Sequence, residues 1–131
     1  METRINRILP RDFVSLQIRS GNEPKKAAAA TKAIMNSQLT VGIFDKNQLM
    51  AFGRVVGDGA LIYLICDLMV DPRYARKNLI HQVLHEINDY LLVHRTKGSK
   101  VYVIADTPLD KICRKYGFKY LDSDFRVAMV K

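Results

Sequence analysis

The sequence predicts an α/β domain built on a mixed β-sheet. Three observations carry this. The chain has 131 residues, the length of one domain. Stretches with strand periodicity alternate with stretches of helical periodicity along the whole of it. An apolar strand at 60–70, an amphipathic helix at 78–93 and a second strand at 100–105 follow each other in the order of a βαβ crossover, which makes those two strands parallel. The expected order is β-α-α-β-β-β-α-β-α-β-β, a central sheet of about 6–7 strands flanked by about four helices in three layers.

Each element has its own signal. Residues 4–9 read as a short strand. Pro10 suits a first helical turn and opens a helix to about Ser20, with Phe13, Leu16 and Gln17 spaced for one face. Gly21 and Asn22 break it. Pro24 opens a second helix through the alanine run to about Met35, closed by Asn36 and Ser37. Residues 39–44 and 48–56 are two strands joined by the turn Asp45-Lys46-Asn47, a hairpin. After Gly57-Asp58-Gly59, residues 60–70 are almost continuously apolar, as in a strand covered on both faces. Asp71-Pro72 ends it. Leu79, Ile80, Val83, Leu84, Ile87, Tyr90 and Leu91 then form one helical stripe. Lys97-Gly98-Ser99 turns into the strand 100–105. A short helix follows at about 109–116, stopped by Gly117. Residues 118–122 and 125–130 read as two closing strands.

Composition narrows the function. With 48% hydrophobic and 26% charged residues the chain is an ordinary globular one. It has no apolar run of about 18 residues to span a membrane and no signal-peptide pattern at its start, so a cytoplasmic protein with reduced Cys66 and Cys113 is expected. Lys and Arg number 21 against 13 Asp and Glu, a net charge of +8. Such a surface attracts anions, either nucleic acid or a polyphosphate ligand. The basic residues are spread along the chain, with no basic arm and no aromatic-interleaved RNA motif, so nucleic-acid binding is the weaker alternative. His81 and His85 share a helix face, but no third ligand accompanies them and no metal site is expected. No catalytic triad, Walker loop or dinucleotide fingerprint is present.

The stretch AFGRVVGDGALIYLICDLMVDPRYARKNLIHQVLHEI, with KICRKYGFKYL downstream, resembles the GNAT acyl-CoA N-acyltransferases. The shared features are a hairpin with a glycine turn, a buried strand ending in Val70-Asp71-Pro72-Arg73-Tyr74, a loop opening a long helix, and a short helix ending in Lys115-Tyr116-Gly117-Phe118. With the N-terminal helix pair the likeness covers most of the chain. It implies an acetyl-CoA co-substrate whose pantetheine arm pairs with backbone groups of Leu68, Met69 and Val70. Its pyrophosphate would lie over the start of the following helix, where bare N–H groups and the helix dipole favour anions.

The phosphate loop departs from the family's Gln/Arg-x-x-Gly-x-Gly/Ala pattern. Here it reads Ala75-Arg76-Lys77-Asn78-Leu79-Ile80. Ala75 stands at the Gln/Arg position. Asn78 replaces the first glycine, although Asn tolerates left-handed backbone. Ile80 replaces the second small residue, and its branched side chain is expected to compete for phosphate space. Arg73, Arg76 and Lys77 are the candidate compensating charges, or else an ordinary solvated turn.

The resemblance also places the chemistry. Asp67 stands near the family's acidic position on the fourth strand and is the candidate base; the other reading is a carboxylate satisfied by backbone N–H groups or by Arg54. Cys66 occupies the position where many relatives carry Glu. Cys113 falls where a tyrosine general acid is usual, with a small buried core residue as its other reading. Two functions follow. One is an N-acetyltransferase acting on an unidentified amine. The other is a catalytically inactive GNAT-like module binding a protein or nucleic acid. The oligomeric state is open, a homodimer among the options.

Overall fold

The computed structural model describes residues 1–76 and 78–131. One five-stranded sheet has the order β1-β2-β3-β4-β5, formed by Glu2–Ile5, Leu39–Asp45, Gln48–Gly57, Ile62–Val70 and Lys100–Val103. The first four strands are antiparallel, and β4 and β5 are parallel. The β2–β3 turn puts both Lys46 and Asn47 at positive φ, the conformation a two-residue hairpin needs to match strand twist. Between β3 and β4, Asp58 Oδ1 accepts the N–H groups of Ala60, Leu61 and Ile62 and closes the turn.

Helices α1 (Pro10–Arg19) and α2 (Ala27–Met35) cover one face of the sheet; α3 (Leu79–His94) and α4 (Leu109–Arg114) cover the other. This gives two cores. Phe13 and Leu16 meet Phe44, Phe52 and Met69 on the α1 side. Val83, Leu84 and Ile87 meet Val41, Ile43, Val55 and Ile65 on the α3 side. Gly53 lets α3 approach: a Cβ there would lie 2.7 Å from Val83 Cγ1 and 2.9 Å from Leu68 Cδ2. Among the described residues no helix is long and apolar enough to cross a membrane.

Four expectations need correction. The first strand is Glu2–Ile5, not 4–9, because Asn6 turns left-handed and exchanges hydrogen bonds with Thr40 through its N–H and Oδ1. The second helix starts at Ala27 rather than Pro24, since the Lys25 N–H is taken by Gln17 Oε1 and Lys26 is extended. Residues 60–70 are not covered on both faces, for buried and half-buried residues alternate along β4. Neither 118–122 nor 125–130 forms a strand, so the sheet has five strands and ends at β5. A strand needs an edge to pair with. Here Asp122 instead closes a turn, its carbonyl accepting from Phe125 and Arg126 N–H.

Candidate functional site

The site begins with a misfit in β4. Along it Tyr63 and Ile65 point into the α3-side core, so strict alternation would place Asp67 there as well. A charge in that layer would be costly. The chain avoids this with a bulge. Arg54 pairs with Cys66 and Phe52 with Met69, which leaves Asp67 and Leu68 opposite Gly53 alone. Asp67 takes positive φ (54°), and the phase slips by one residue. Leu68 enters the core in its place. Asp67 is released to the surface of the sheet, where its Oδ2 accepts from Arg54 Nε at 2.6 Å. Arg54 also reaches Ser37 Oγ at 3.3 Å. Among the described residues Asp67 Oδ1 makes no hydrogen bond.

The bulge lies where the two parallel strands part. β4 and β5 pair from Ile62↔Lys100 to Ile65↔Val103, followed by one more bond from Ile104 N–H to Ile65 O at 3.1 Å. Beyond that point Cys66–Val70 has β3 on one side and, among the described residues, no strand on the other. A cleft of about 270 Å³ fills the divergence. Cys66, Asp67, Leu68 and Met69 form one wall, and Ile104, Ala105 and Asp106 the opposite one. Gln17 and the α1–α2 connection (Asn22, Glu23, Lys25) close it on a third side. Burial pushes the Cys66 thiol above its usual range, so at neutral pH it lines the cleft as a neutral group.

The loop into α3 meets the other requirement. Asn78 is left-handed (φ 57°, ψ 25°) at the N-cap, the backbone geometry that a glycine there would supply. The Asn78 side chain makes no capping hydrogen bond to this end of the helix. The Gln82 N–H donates to Asn78 O at 3.2 Å. Leu79 and Ile80 are both buried in the α3-side core. The Ile80 side chain, which the motif comparison places at the loop, is packed in the core instead. Ala75 and Arg76 form a turn ahead of the helix, Arg76 exposed; Lys77 lies outside the described residues.

Arg73 is not a free phosphate ligand. Its N–H and Nε donate to Asp71 Oδ1 and its Nη2 to Oδ2 at 2.8 Å. Asp71, 1% exposed, also accepts from Arg19 Nε at 2.9 Å. The Arg73 guanidinium holds the Asp71 carboxyl well below the usual carboxylate range, with Arg19 adding to it. This knot ties α1 and the Pro72–Tyr74 3-10 turn to the end of β4.

The profile of a family described as "Acetyltransferase (GNAT) domain" matches residues 14–131. The chain belongs to the GNAT acetyltransferase family. A protein of unknown function named as a probable acetyltransferase, from meticillin-resistant Staphylococcus aureus, superposes with a TM-score of 0.88 at 30% identity, over 99% of each chain. A GNAT family acetyltransferase from Streptococcus pneumoniae gives 0.77 at 19%, over 99% of this chain and 97% of the other. The glucosamine-6-phosphate N-acetyltransferase of Arabidopsis thaliana gives 0.72 at 14%, over 100% and 98%. At those lower identities the likeness is one of fold. Comparison with the curated proteins gives no match.

Within this GNAT fold Cys113 is not among the residues that line the cleft. It is buried in the α3-side core, away from the cleft, and burial pushes its thiol up. It packs as a small apolar residue. Among the described residues no tyrosine lines the cleft. Tyr116 donates to His81 O at 2.9 Å, and Tyr74 donates to Asp45 Oδ2 at 2.8 Å. His85 pairs with Asp89, and no group of three or more metal-ligating side chains occurs among the described residues. The family resemblance implies that the N-terminal helices 10–20 and 24–35 shape the acceptor side, but it singles out no residue of the third wall. One signal was present: Gln17, polar yet spaced with Phe13 and Leu16, is 4% exposed and borders the cleft.

Proposed function

We propose that this chain is an N-acetyltransferase that takes its acyl group from acetyl-CoA and delivers it to an amine in the β4–β5 cleft. The observation that carries this is the edge of Cys66–Val70, left among the described residues without a strand partner beside β5 and leading to a helix start at left-handed Asn78, whose side chain makes no capping hydrogen bond. That arrangement fits a long ligand with an amide-bearing arm and a diphosphate. Backbone groups of Leu68, Met69 and Val70 would hold the arm. Backbone N–H groups of Asn78, Leu79 and Ile80 would hold the diphosphate, with Ala75 closing the turn and Arg76 and Lys77 supplying positive charge. When bound, acetyl-CoA supplies an activated thioester.

The chain's own contribution is proton handling and placement. A protonated amine must lose a proton before it can attack. Asp67 is the carboxylate in the β4 wall, with Oδ2 fixed by Arg54 and Oδ1 free to face an incoming N–H. Glu23 and Asp106 add negative charge across the cleft and favour a cationic amine. Gln17, whose Oε1 accepts the Lys25 N–H, stiffens the connection that closes the acceptor side.

The test is a thermal-shift titration with acetyl-CoA and CoA, followed by CoA release against a panel of primary amines. Ligand at about 100 times Kd adds about 2.7 kcal/mol of stability, a rise of several degrees. No shift at millimolar ligand removes the transferase reading. A shift with no CoA release for any amine leaves the inactive binding module instead.

A further inference from the structure

Gln17 lies on the face of α1 that Phe13 and Leu16 bury, and it is 4% exposed. A buried amide needs partners at both of its ends. One end has its partner. The Lys25 N–H donates to the Gln17 side chain at 3.1 Å. A backbone N–H can only donate, so the atom facing it is Oε1, and this fixes which way the amide points. The other end has none. Among the described residues nothing accepts a hydrogen bond from Nε2. Nor is that nitrogen sealed in the core, where Asp110 Oδ1 is the one buried side-chain polar atom without a partner among the described residues. Gln17 borders the β4–β5 cleft, so its free N–H groups open there. The residue is braced as well: its carbonyl accepts the Asn22 N–H at 2.8 Å, and Asn22 Nδ2 donates to Ser20 Oγ at 2.9 Å. A side chain this buried, tied at its oxygen, has little freedom to turn its nitrogen elsewhere.

In the β4 wall of the same cleft Asp67 Oδ1 makes no hydrogen bond among the described residues. One wall therefore offers an acceptor and another a donor. A ligand that satisfies both carries an N–H and an oxygen acceptor. Charge narrows the kind of oxygen. Of the described residues lining the cleft, Glu23, Asp67 and Asp106 are acids and Lys25 is the single cation. Even with Arg54 paired to Asp67 the balance is negative. A carboxylate on the ligand would meet that charge, whereas an uncharged carbonyl or hydroxyl would not. Size adds a limit. Both walls bound one cleft of about 270 Å³, so the nitrogen and the oxygen lie within a few bonds of each other.

We propose that Gln17 sets the acceptor specificity of the cleft, and that the acceptor is a primary amine carrying an uncharged oxygen on the neighbouring carbon, as in an α-amino amide or a 2-amino alcohol. The proposal rests on the transferase reading of the cleft and adds the substrate class to it. The amine donates to Asp67 Oδ1, and the oxygen accepts from Gln17 Nε2. A plain alkylamine of the same size leaves the buried amide unpaired, and an unpaired buried donor is what lets a site reject an analogue that lacks the matching group.

Steady-state CoA release from acetyl-CoA tests this with glycinamide, ethanolamine, glycine and n-propylamine as acceptors. Gln17→Met keeps the length of the side chain and removes its N–H donors. The kcat/KM preference for glycinamide, or for ethanolamine, over n-propylamine should fall about tenfold from the parent to Gln17→Met. Each amine's own basicity cancels in that comparison, and so does any general loss of activity from a disturbed α1–α2 connection. Whichever of glycinamide and ethanolamine loses more identifies the oxygen as carbonyl or hydroxyl. In the parent, glycine should be a poorer acceptor than glycinamide. If Gln17→Met does not fold, the uncharged products decide with the parent alone: N-acetylglycinamide or N-acetylethanolamine should inhibit at about a tenfold lower concentration than N-propylacetamide. An unchanged preference in folded Gln17→Met, equal inhibition by the three products, or glycine preferred to glycinamide overturns the proposal. Turnover of n-propylamine with an unchanged preference leaves the transferase reading standing, whereas no CoA release with any of the four amines removes both.

Discussion

Asp67 Oδ2 and Arg54 Nε lie 2.6 Å apart across the β3–β4 bulge, where the chain departs from strand alternation. The bulge keeps a charge out of the α3-side core, and the arginine then fixes where that charge sits. A structural carboxylate and a reactive one would both be found here, so the distinction has to come from a variant that preserves the shape.

Asp67→Asn is that variant. Asparagine tolerates the left-handed backbone and keeps an oxygen for Arg54, so stability should change by less than about 1 kcal/mol. It cannot take a proton from an amine. If Asp67 is the base, CoA release in the presence of the acceptor should fall by about 100-fold or more, the usual worth of a positioned base. Turnover within a few-fold of the parent would assign Asp67 to holding Arg54 and the bulge.

The loop before α3 offers a separate check. Asn78 has positive φ and stands where a glycine is expected in this family. Asn78→Gly should leave stability within about 0.5 kcal/mol and bind acetyl-CoA at least as tightly, since the needed backbone is kept without a side chain. Asn78→Val must adopt a conformation that costs a β-branched residue about 1–2 kcal/mol. It should lower the melting temperature and weaken acetyl-CoA in a calorimetric titration. Equal affinities for all three proteins would take the diphosphate away from this loop.

Much of this fold was legible in the sequence, and the parts that were not share a cause. Leu79, Ile80, Val83, Leu84, Ile87 and Leu91 announced α3 by spacing, and all are buried. The hairpin turn at Lys46-Asn47 and the crossover from β4 to β5 followed from turn chemistry and chain order. Asp67 stood out as a carboxylate in an apolar run, but the bulge that rescues it did not, because a one-residue phase slip between Ile65 and Leu68 reads as continued hydrophobicity. Ile80 was expected to crowd the phosphate loop; its helical phase sends the side chain into the core, which a motif alignment does not register. Arg73 read as a free cation because Asp71 beside it read only as a strand terminator. The cleft wall from Asn22 to Lys25 comes from a loop with no periodicity to reveal where it packs.

Cys113→Ala distinguishes a packing role from a chemical one. The thiol is 2% exposed within the α3-side core, and its burial disfavours the thiolate. Removing one sulfur should cost about 1 kcal/mol in a urea melt. The rate of CoA release and its pH profile should be unchanged. A turnover loss of more than about tenfold, with the melt near that of the parent, would return Cys113 to the chemistry.

Asp71 makes the strongest claim on stability. Its carboxylate is buried beneath Arg73 and Arg19, and Arg19 also donates to Ser15 Oγ and to the carbonyl of Leu49, so one acid joins α1, β3 and the end of β4. Asp71→Asn keeps the shape and removes the charge that both arginines face. A loss of about 2–4 kcal/mol at pH 7 is expected, less than for a fully buried pair because Arg73 stays largely solvated. The pH dependence has a definite sign. The folded chain depresses this carboxyl below its unfolded value of about 3.9. Its contribution is therefore present in full above about pH 5 and falls away as the pH drops further, where the unfolded chain takes up a proton that the folded chain resists. The parent should lose stability progressively in urea melts as the pH falls below about 4, and Asp71→Asn should lose less, so that the two curves converge in strong acid. Parallel curves across that window, or equal stability at pH 7, would mean that the Arg19–Asp71–Arg73 knot does not hold the helix to the sheet.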